Sequence, residues 1–330
     1  DQEKRILDNV EKYQQEIDES RQEAIKYLKM AMGMTDADTP IDDINMLRYY
    51  LAYLYWSTGD ADRAAVMGEF LATRYPTGAG RQAAKIAMAA YAKMFTDAPA
   101  EDRQFEKQRL TEMAEYIAKR WSGEPDADEA WKTLISVAVL DRDLDKATEY
   151  LDKIPPESPR RGEAELATGQ ALWAAYLRAT TATEGPKPPQ SELDAMVARA
   201  QSTLEKGIER MRGAAEVSPT LASAVLSLAQ INIDAGQADK AIQWLEDPKI
   251  GALTLVKAKH EAANRPNYPV EAYKAALRGY VATQQLDKAE QAMKALETLT
   301  AEGGDEKAAE KLTRIYISLG YQLQKQLERL

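Results

Sequence analysis

Apolar positions in residues 128–159 fall into two helical runs separated by a short polar turn. Residues 131–140 carry apolar side chains at helical spacing, and residues 141–145 are almost entirely polar. The second run places Ala147 and Leu151 on one helical face, and a small alanine suits a point where two helices cross closely. This stretch therefore predicts a helical hairpin.

The same short motif opens the second helix of several predicted hairpins along the chain. An acidic residue, a basic residue and an alanine follow each polar turn, and an acid near a helix start interacts favourably with the helix dipole. Four such triplets, each preceded by the same apolar spacing, indicate a repeated unit rather than unrelated hairpins. The triplets are Asp62-Arg63-Ala64, Asp145-Lys146-Ala147, Asp239-Lys240-Ala241 and Asp287-Lys288-Ala289.

The spacing within residues 131–159 resembles the tetratricopeptide repeat, in which Trp, Leu, Ala, an apolar residue and Pro occupy fixed positions. The matching residues are Trp131, Leu134, Ala147, Leu151 and Pro159. Ile135 and Ala138 depart from the pattern, because the family has Gly and Tyr there. The resemblance implies an all-α protein, an α-solenoid coiled as a right-handed superhelix of about six helical hairpins.

We expect residues 1–330 to form a single solenoid. Its predicted parts are an N-terminal helix (1–32), repeats (41–300) with an insertion at 180–190 and an irregular segment at 247–269, and a C-terminal capping helix (305–330). Within the irregular segment we expect a short helix at 252–263.

Composition excludes several classes of protein. The formal charge of −10 argues against a nucleic-acid partner, which requires a basic field. The chain has no cysteine, so disulfides and thiolate metal sites are excluded. No apolar run is long enough to cross a bilayer, so we expect no transmembrane segment.

One motif bears on the compartment of the protein. The ending F-L-A-T-R-Y-P-T-G of one helix resembles repeats of bacterial cell-envelope proteins, including outer-membrane assembly lipoproteins, which implies the periplasm or cell envelope. The lipid-bearing cysteine of those proteins is absent. Because the sequence starts without Met, we expect it to be trimmed, with any targeting signal or anchor removed. The cytoplasm is the other compartment that a chain without cysteine fits.

Catalytic and metal-binding constellations are scarce, so we expect a protein without enzymatic activity, cofactor or metal. A single histidine, His260, nearly excludes histidine-based triads and multi-histidine zinc sites, and we interpret it as a solvated loop residue. The spacing of Asp141, Asp143 and Asp145 is that of a calcium loop, but Lys146 stands where that loop needs Gly. These aspartates are better explained as the turn of a repeat.

In tetratricopeptide proteins the first helices of successive hairpins line a concave groove, and the resemblance implies a groove here. Carrying over the groove positions assigns partner-binding roles to Tyr49, Tyr53, Trp56, Lys85, Lys132, Gln170, Trp173, Gln230, Lys274 and Arg278. The family's clamp for a terminal carboxylate is incomplete, because its asparagines are missing. Because binding hot spots are rich in aromatic and arginine side chains, these positions favour a protein or peptide partner. The alternative is that Tyr53 and Trp56 only pack between helices.

Residues 249–265 form a second candidate surface, with Lys249, Lys257, Lys259, His260 and Arg265 against a single acidic residue. A long segment outside the repeats is often functional. A packed or flexible surface loop is the alternative interpretation.

Three functions fit the pattern. The first is a non-enzymatic scaffold or adaptor that binds a protein or peptide in its groove. The second is a structural module that self-assembles, for example as a homodimer, through its terminal helices. Residues 6–31 support it, since apolar and small residues alternate there in steps of four and three. The third, a helical-toroid enzyme acting on glycans, requires a deep acidic pocket.

Overall fold

A computed structural model describes residues 2–99, 101–181, 188–301 and the single positions 313, 316, 317, 320, 321 and 324. Throughout these residues the regular structure is helical, which confirms the all-α class. The chain divides into two compact units, Asp1–Val137 and Ala138–Leu330, and each is described by itself.

The first unit is built from consecutive helices. They are α1 (Gln2–Gly33), α2 (Ile41–Ser57), α3 (Ala61–Arg74), α4 (Ala79–Asp97), α5 (Gln104–Arg120) and α6 (Pro125–Leu140), the last of which ends in the second unit. Helices α1 to α5 each pack on the next helix in the chain or on the one before it. The pairs α2–α3 and α4–α5 are hairpins, and α2 also packs on α4. Contact between successive first helices is the arrangement expected of stacked hairpin repeats.

Small residues allow the close crossing of α3 and α4. Ala64 and Ala65 are fully buried on α3, as are Ala83, Ala84 and Ala87 on α4. A Cβ atom at Gly68 would lie 2.7 Å from the carbonyl oxygen of Ala83, so the two backbones are in direct contact. The helix crossing therefore depends on the absence of side-chain volume.

A polar network connects three helices of the first unit. Glu69 on α3 accepts hydrogen bonds from the Tyr91 hydroxyl on α4 and from the Arg109 guanidinium on α5. Burial acts to raise the pKa of the Glu69 carboxyl, but the hydrogen bonds from Arg109 and Tyr91 outweigh it and lower that pKa. The network therefore holds an ionised carboxylate between the helices.

The second unit continues the pattern with three further hairpins. Its helices are α7 (Leu144–Lys153), α8 (Arg161–Thr181), α9 (Gln190–Met211), α10 (Pro219–Asp234), α11 (Ala238–Leu245), α12 (Ala252–Lys257), α13 (Tyr268–Ala282) and α14 (Leu286–Ala301). The hairpins are α8–α9, α10–α11 and α13–α14, and the first helices pack in the order α8, α10, α13.

Capping residues explain where several helices begin. The side chains of Asp60, Asp143 and Ser218 each accept a hydrogen bond from a main-chain N–H in the first turn of α3, α7 and α10. Asp143 thus acts as a helix cap, which agrees with its interpretation as a repeat turn. Ser158-Pro159 has the same cap-and-proline sequence as Ser218-Pro219, but α8 begins only at Arg161.

One predicted segment needs correction and one agrees in part. The insertion predicted at 180–190 is narrower, because Thr180 and Thr181 belong to α8 and Gln190 begins α9. The short helix expected at 252–263 within the irregular segment 247–269 is present as two pieces, α12 and a short 3-10 helix (Glu261–Ala263). The side chains of Ile250, Leu253, Leu255 and Tyr268 from this segment are buried in the core of the second unit.

The predicted C-terminal helix at 305–330 lies outside the described residues, apart from six single positions. Within the described part of the chain, no helix combines the length and apolar character that a membrane span requires.

Candidate binding cleft

The first helices α8, α10 and α13 of the second unit form the walls of a cleft with a volume of about 860 Å³. Helical spacing places their side chains there. Gln230 and Asp234 lie one turn apart on α10, and Lys274 and Arg278 lie one turn apart on α13. The turn that follows Asp234 also lines the cleft, with Gly236 at a positive φ of 73°.

Two aromatic rings make a rigid wall on α8. The rings of Trp173 and Tyr176 stack with their centroids 5.0 Å apart and their planes 15° from parallel. Trp173 is 4% exposed, and its Nε1–H donates to Gln230 Oε1 at 3.4 Å. The indole is therefore fixed by a neighbour on the next first helix.

Ion pairs fix the charged side chains of the cleft. Arg278 donates from Nη2 to Asp234 Oδ1 at 2.5 Å, which joins α13 to α10. Lys274 donates from Nζ to Glu271 Oε1 at 2.9 Å within α13. The Nε of Arg278 is buried and has no hydrogen-bond partner among the described residues.

Four of the ten predicted groove residues come together in this cleft: Trp173, Gln230, Lys274 and Arg278. Gln170 does not line it, because its side-chain amide donates to the Thr220 carbonyl oxygen at 3.2 Å. The three hairpins of the second unit thus supply one shared site.

The remaining predicted groove residues lie in the first unit. Tyr49, Tyr53 and Trp56 are on α2, where Tyr53 is 50% exposed and the other two are half-buried. Lys85 forms an ion pair with Asp126 at 3.4 Å, and Lys132 forms one with Glu129 at 3.2 Å. Their role in binding stays a prediction.

The second candidate surface is largely tied to the fold. Lys249 donates to the Ala214 carbonyl oxygen at 2.8 Å, and Arg265 donates to Ser223 Oγ at 2.6 Å. His260 is half-buried, and its Nδ1 accepts from the Ala262 N–H at 3.1 Å, so it caps the 3-10 helix and is not a solvated loop residue. Lys257 and Lys259 are exposed.

Several cleft residues were not predicted from the sequence. Asp234 and Glu271 pair with the predicted cations, and Tyr176 stacks on the predicted indole. A signal for them exists, because each lies three or four residues from a predicted groove position on the same helix.

Across the ranges that the structure describes, no cluster of three or more His, Asp or Glu side chains could hold a metal ion.

Comparisons with known proteins do not identify the chain. No protein-family model matches it, and no curated protein matches its sequence. Among solved structures, it aligns with a monomeric IFIT1 mutant with Gppp-AAAA at 16% identity and a TM-score of 0.36, covering 86% of this chain and 70% of that one. The human IFIT1 dimer with PPP-AAAA aligns at 14% identity and a TM-score of 0.31, covering 86% and 71%. Similarity at this level carries no argument about function.

Proposed function

We propose that the protein is a non-enzymatic scaffold that holds a protein or peptide segment in the cleft of the second unit. The observation that carries the proposal is the convergence of Trp173, Gln230, Lys274 and Arg278 from three successive hairpins on one cleft. Rigid aromatic side chains and arginine are the groups that binding hot spots favour.

The cleft is suited to binding because its side chains are held in place before a ligand arrives. The Trp173–Gln230 hydrogen bond and the Arg278–Asp234 ion pair both connect neighbouring first helices. Side chains that are already ordered lose little conformational entropy on association. A cleft of about 860 Å³ is within the usual size of ligand sites and accommodates several side chains of an extended segment.

Photo-crosslinking tests this proposal. Peptides selected from a random dodecapeptide library on the immobilised full chain are bound to proteins that carry p-benzoylphenylalanine in place of Thr181 or Gln243. Thr181 lies at the cleft, whereas Gln243 is exposed on α11 outside it. We expect crosslinks from position 181 and none from position 243. A library that yields no binding peptide, or crosslinks equal at both positions, contradicts the proposal.

Self-association is the second candidate function, and α1 favours it. Ala24 and Leu28 are half-buried on a helix that packs on α2, and the same helical face continues through the exposed Val10, Tyr13 and Ile17. An exposed apolar helix face is suited to a second copy of the same helix.

Light scattering distinguishes this second candidate. Tyr13→Glu/Ile17→Glu is expected to convert a dimer into a monomer, because the new carboxylates lose solvation in an apolar seam. Gln15→Glu/Gln22→Glu adds the same charge on the opposite face and leaves the dimer intact. A wild-type chain that is monomeric contradicts self-association.

A further inference from the structure

The cleft presents more negative than positive charge. Asp234, Asp239 and Glu271 line it together with two cations, Lys274 and Arg278. Asp239 is exposed in the first turn of α11, where it belongs to one of the repeated Asp-Lys-Ala triplets. The whole chain has a formal charge of −10, so its long-range field has the same sign as the cleft.

The two cations are less accessible to a ligand than the carboxylates. The Lys274 and Arg278 side chains are 16% and 11% exposed, whereas their partners Glu271 and Asp234 are 42% and 28% exposed. Each cation is already neutralised by its own carboxylate. An entering segment therefore meets carboxylate oxygens first, and a cationic side chain gains most from them.

A donor without a partner also points to a ligand. Arg278 is about nine-tenths buried and lines the cleft, and its Nε–H has no acceptor among the described residues. A buried donor left unsatisfied costs free energy, which an acceptor on a ligand recovers. A main-chain carbonyl oxygen supplies such an acceptor without adding charge.

From these observations we infer that the cleft selects a peptide segment with a lysine or arginine side chain, and this inference rests on the proposed function. The basic side chain lies between the carboxylates of Asp239 and Glu271, and the segment's main chain accepts from Arg278. The ring of Tyr176 at the cleft wall adds a surface suited to a cation.

The selected dodecapeptides are the first readout. We expect them to be enriched in Lys and Arg over the starting library. One fluorescein-labelled peptide is then compared with versions in which its basic residues are replaced by Gln or by Glu. Fluorescence polarisation at about 0.15 M salt, where long-range attraction is screened, is expected to show about tenfold weaker binding for the Gln version and weaker binding still for the Glu version.

Matched protein variants distinguish binding to the carboxylates of the cleft from attraction by the net negative charge of the whole chain. Asp239→Asn and Glu271→Gln are each expected to weaken binding of the basic peptide about fivefold, with little effect on its Gln version. Asp287→Asn removes the same charge from the same triplet position, in the exposed first turn of α14 outside the cleft, and leaves binding unchanged.

Three outcomes overturn the inference and leave the proposed function standing. They are selected peptides without enrichment in basic residues, tighter binding of the Glu version, and equal loss in Asp239→Asn and Asp287→Asn. A library that yields no binding peptide removes the proposed function itself, so the two failures are distinguishable.

Discussion

Replacing Glu165 by glutamine is expected to lower the free energy of unfolding of the second unit by about 3 kcal/mol. Glu165 is 1% exposed on α8, and its carboxylate accepts from the Nε atoms of Arg161 and Arg210, each at 2.9 Å. Glu165→Gln keeps the shape of the side chain but removes its charge and directs an amide N–H₂ towards an arginine. The loss of a buried partner leaves both guanidinium groups without their counter-charge.

The effect is expected to spread beyond the ion pairs. Arg161 also donates to the carbonyl oxygens of Leu151 and Ile154, and Arg210 donates to that of Pro156. These two arginines therefore hold the connection between α7 and α8, and Glu165 holds the arginines.

Urea-induced unfolding followed by tryptophan fluorescence measures the difference. Glu209→Gln, an exposed position on α9, is the control and is expected to change the stability by less than about 0.5 kcal/mol. A Glu165→Gln variant as stable as that control contradicts the assigned role of the network.

Filling the cleft is expected to abolish most peptide binding. Ala282 is the exposed last residue of α13 and lines the cleft, so Ala282→Trp places an indole in the space that a bound segment needs. We expect the Kd of a selected dodecapeptide to rise about 100-fold, which corresponds to about 2.7 kcal/mol. Fluorescence polarisation with purified full chain measures the change.

Ala258→Trp is the matched control for this variant. Ala258 is also exposed at the C-terminal end of a helix, α12, but it does not line the cleft. The Kd of the Ala258→Trp variant for the same dodecapeptide is expected to equal that of the wild type. Equal weakening in both variants indicates a nonspecific effect of the added tryptophan, and unchanged binding in Ala282→Trp means that the segment lies elsewhere.

The repeated architecture could be predicted because it depends on local spacing. Ala64, Ala147 and Ala241 of the repeated triplets are all fully buried, as close helix crossings require. Boundaries were harder to predict, since Thr180 and Thr181 continue α8 although the residues after them contain Gly and Pro. The regular structure in segment 247–269 depends on burial of side chains such as Leu253 and Tyr268 in the core. The helix propensity of the local sequence does not indicate such burial.

The candidate site could be predicted only in part. The groove positions of the tetratricopeptide pattern correctly placed Trp173, Gln230, Lys274 and Arg278 in one cleft. They could do so because the position of a residue within the repeat determines which face of the helix it occupies. The pattern did not predict the ion pair between Asp234 on α10 and Arg278 on α13, since that pair depends on how the two hairpins pack. Gln170 was predicted to line the groove, but its side chain instead forms a hydrogen bond with the Thr220 carbonyl oxygen.

Hydrogen–deuterium exchange of the full chain with and without a selected dodecapeptide tests the central claim most directly. A segment held in the cleft is expected to slow exchange in residues 230–239 and 271–284, which carry most of the lining side chains. Exchange in residues 49–56 of α2 and 249–265 is expected to stay unchanged. Slowing confined to either of those two segments would contradict the account and place the bound segment on the aromatic face of α2 or on the second candidate surface.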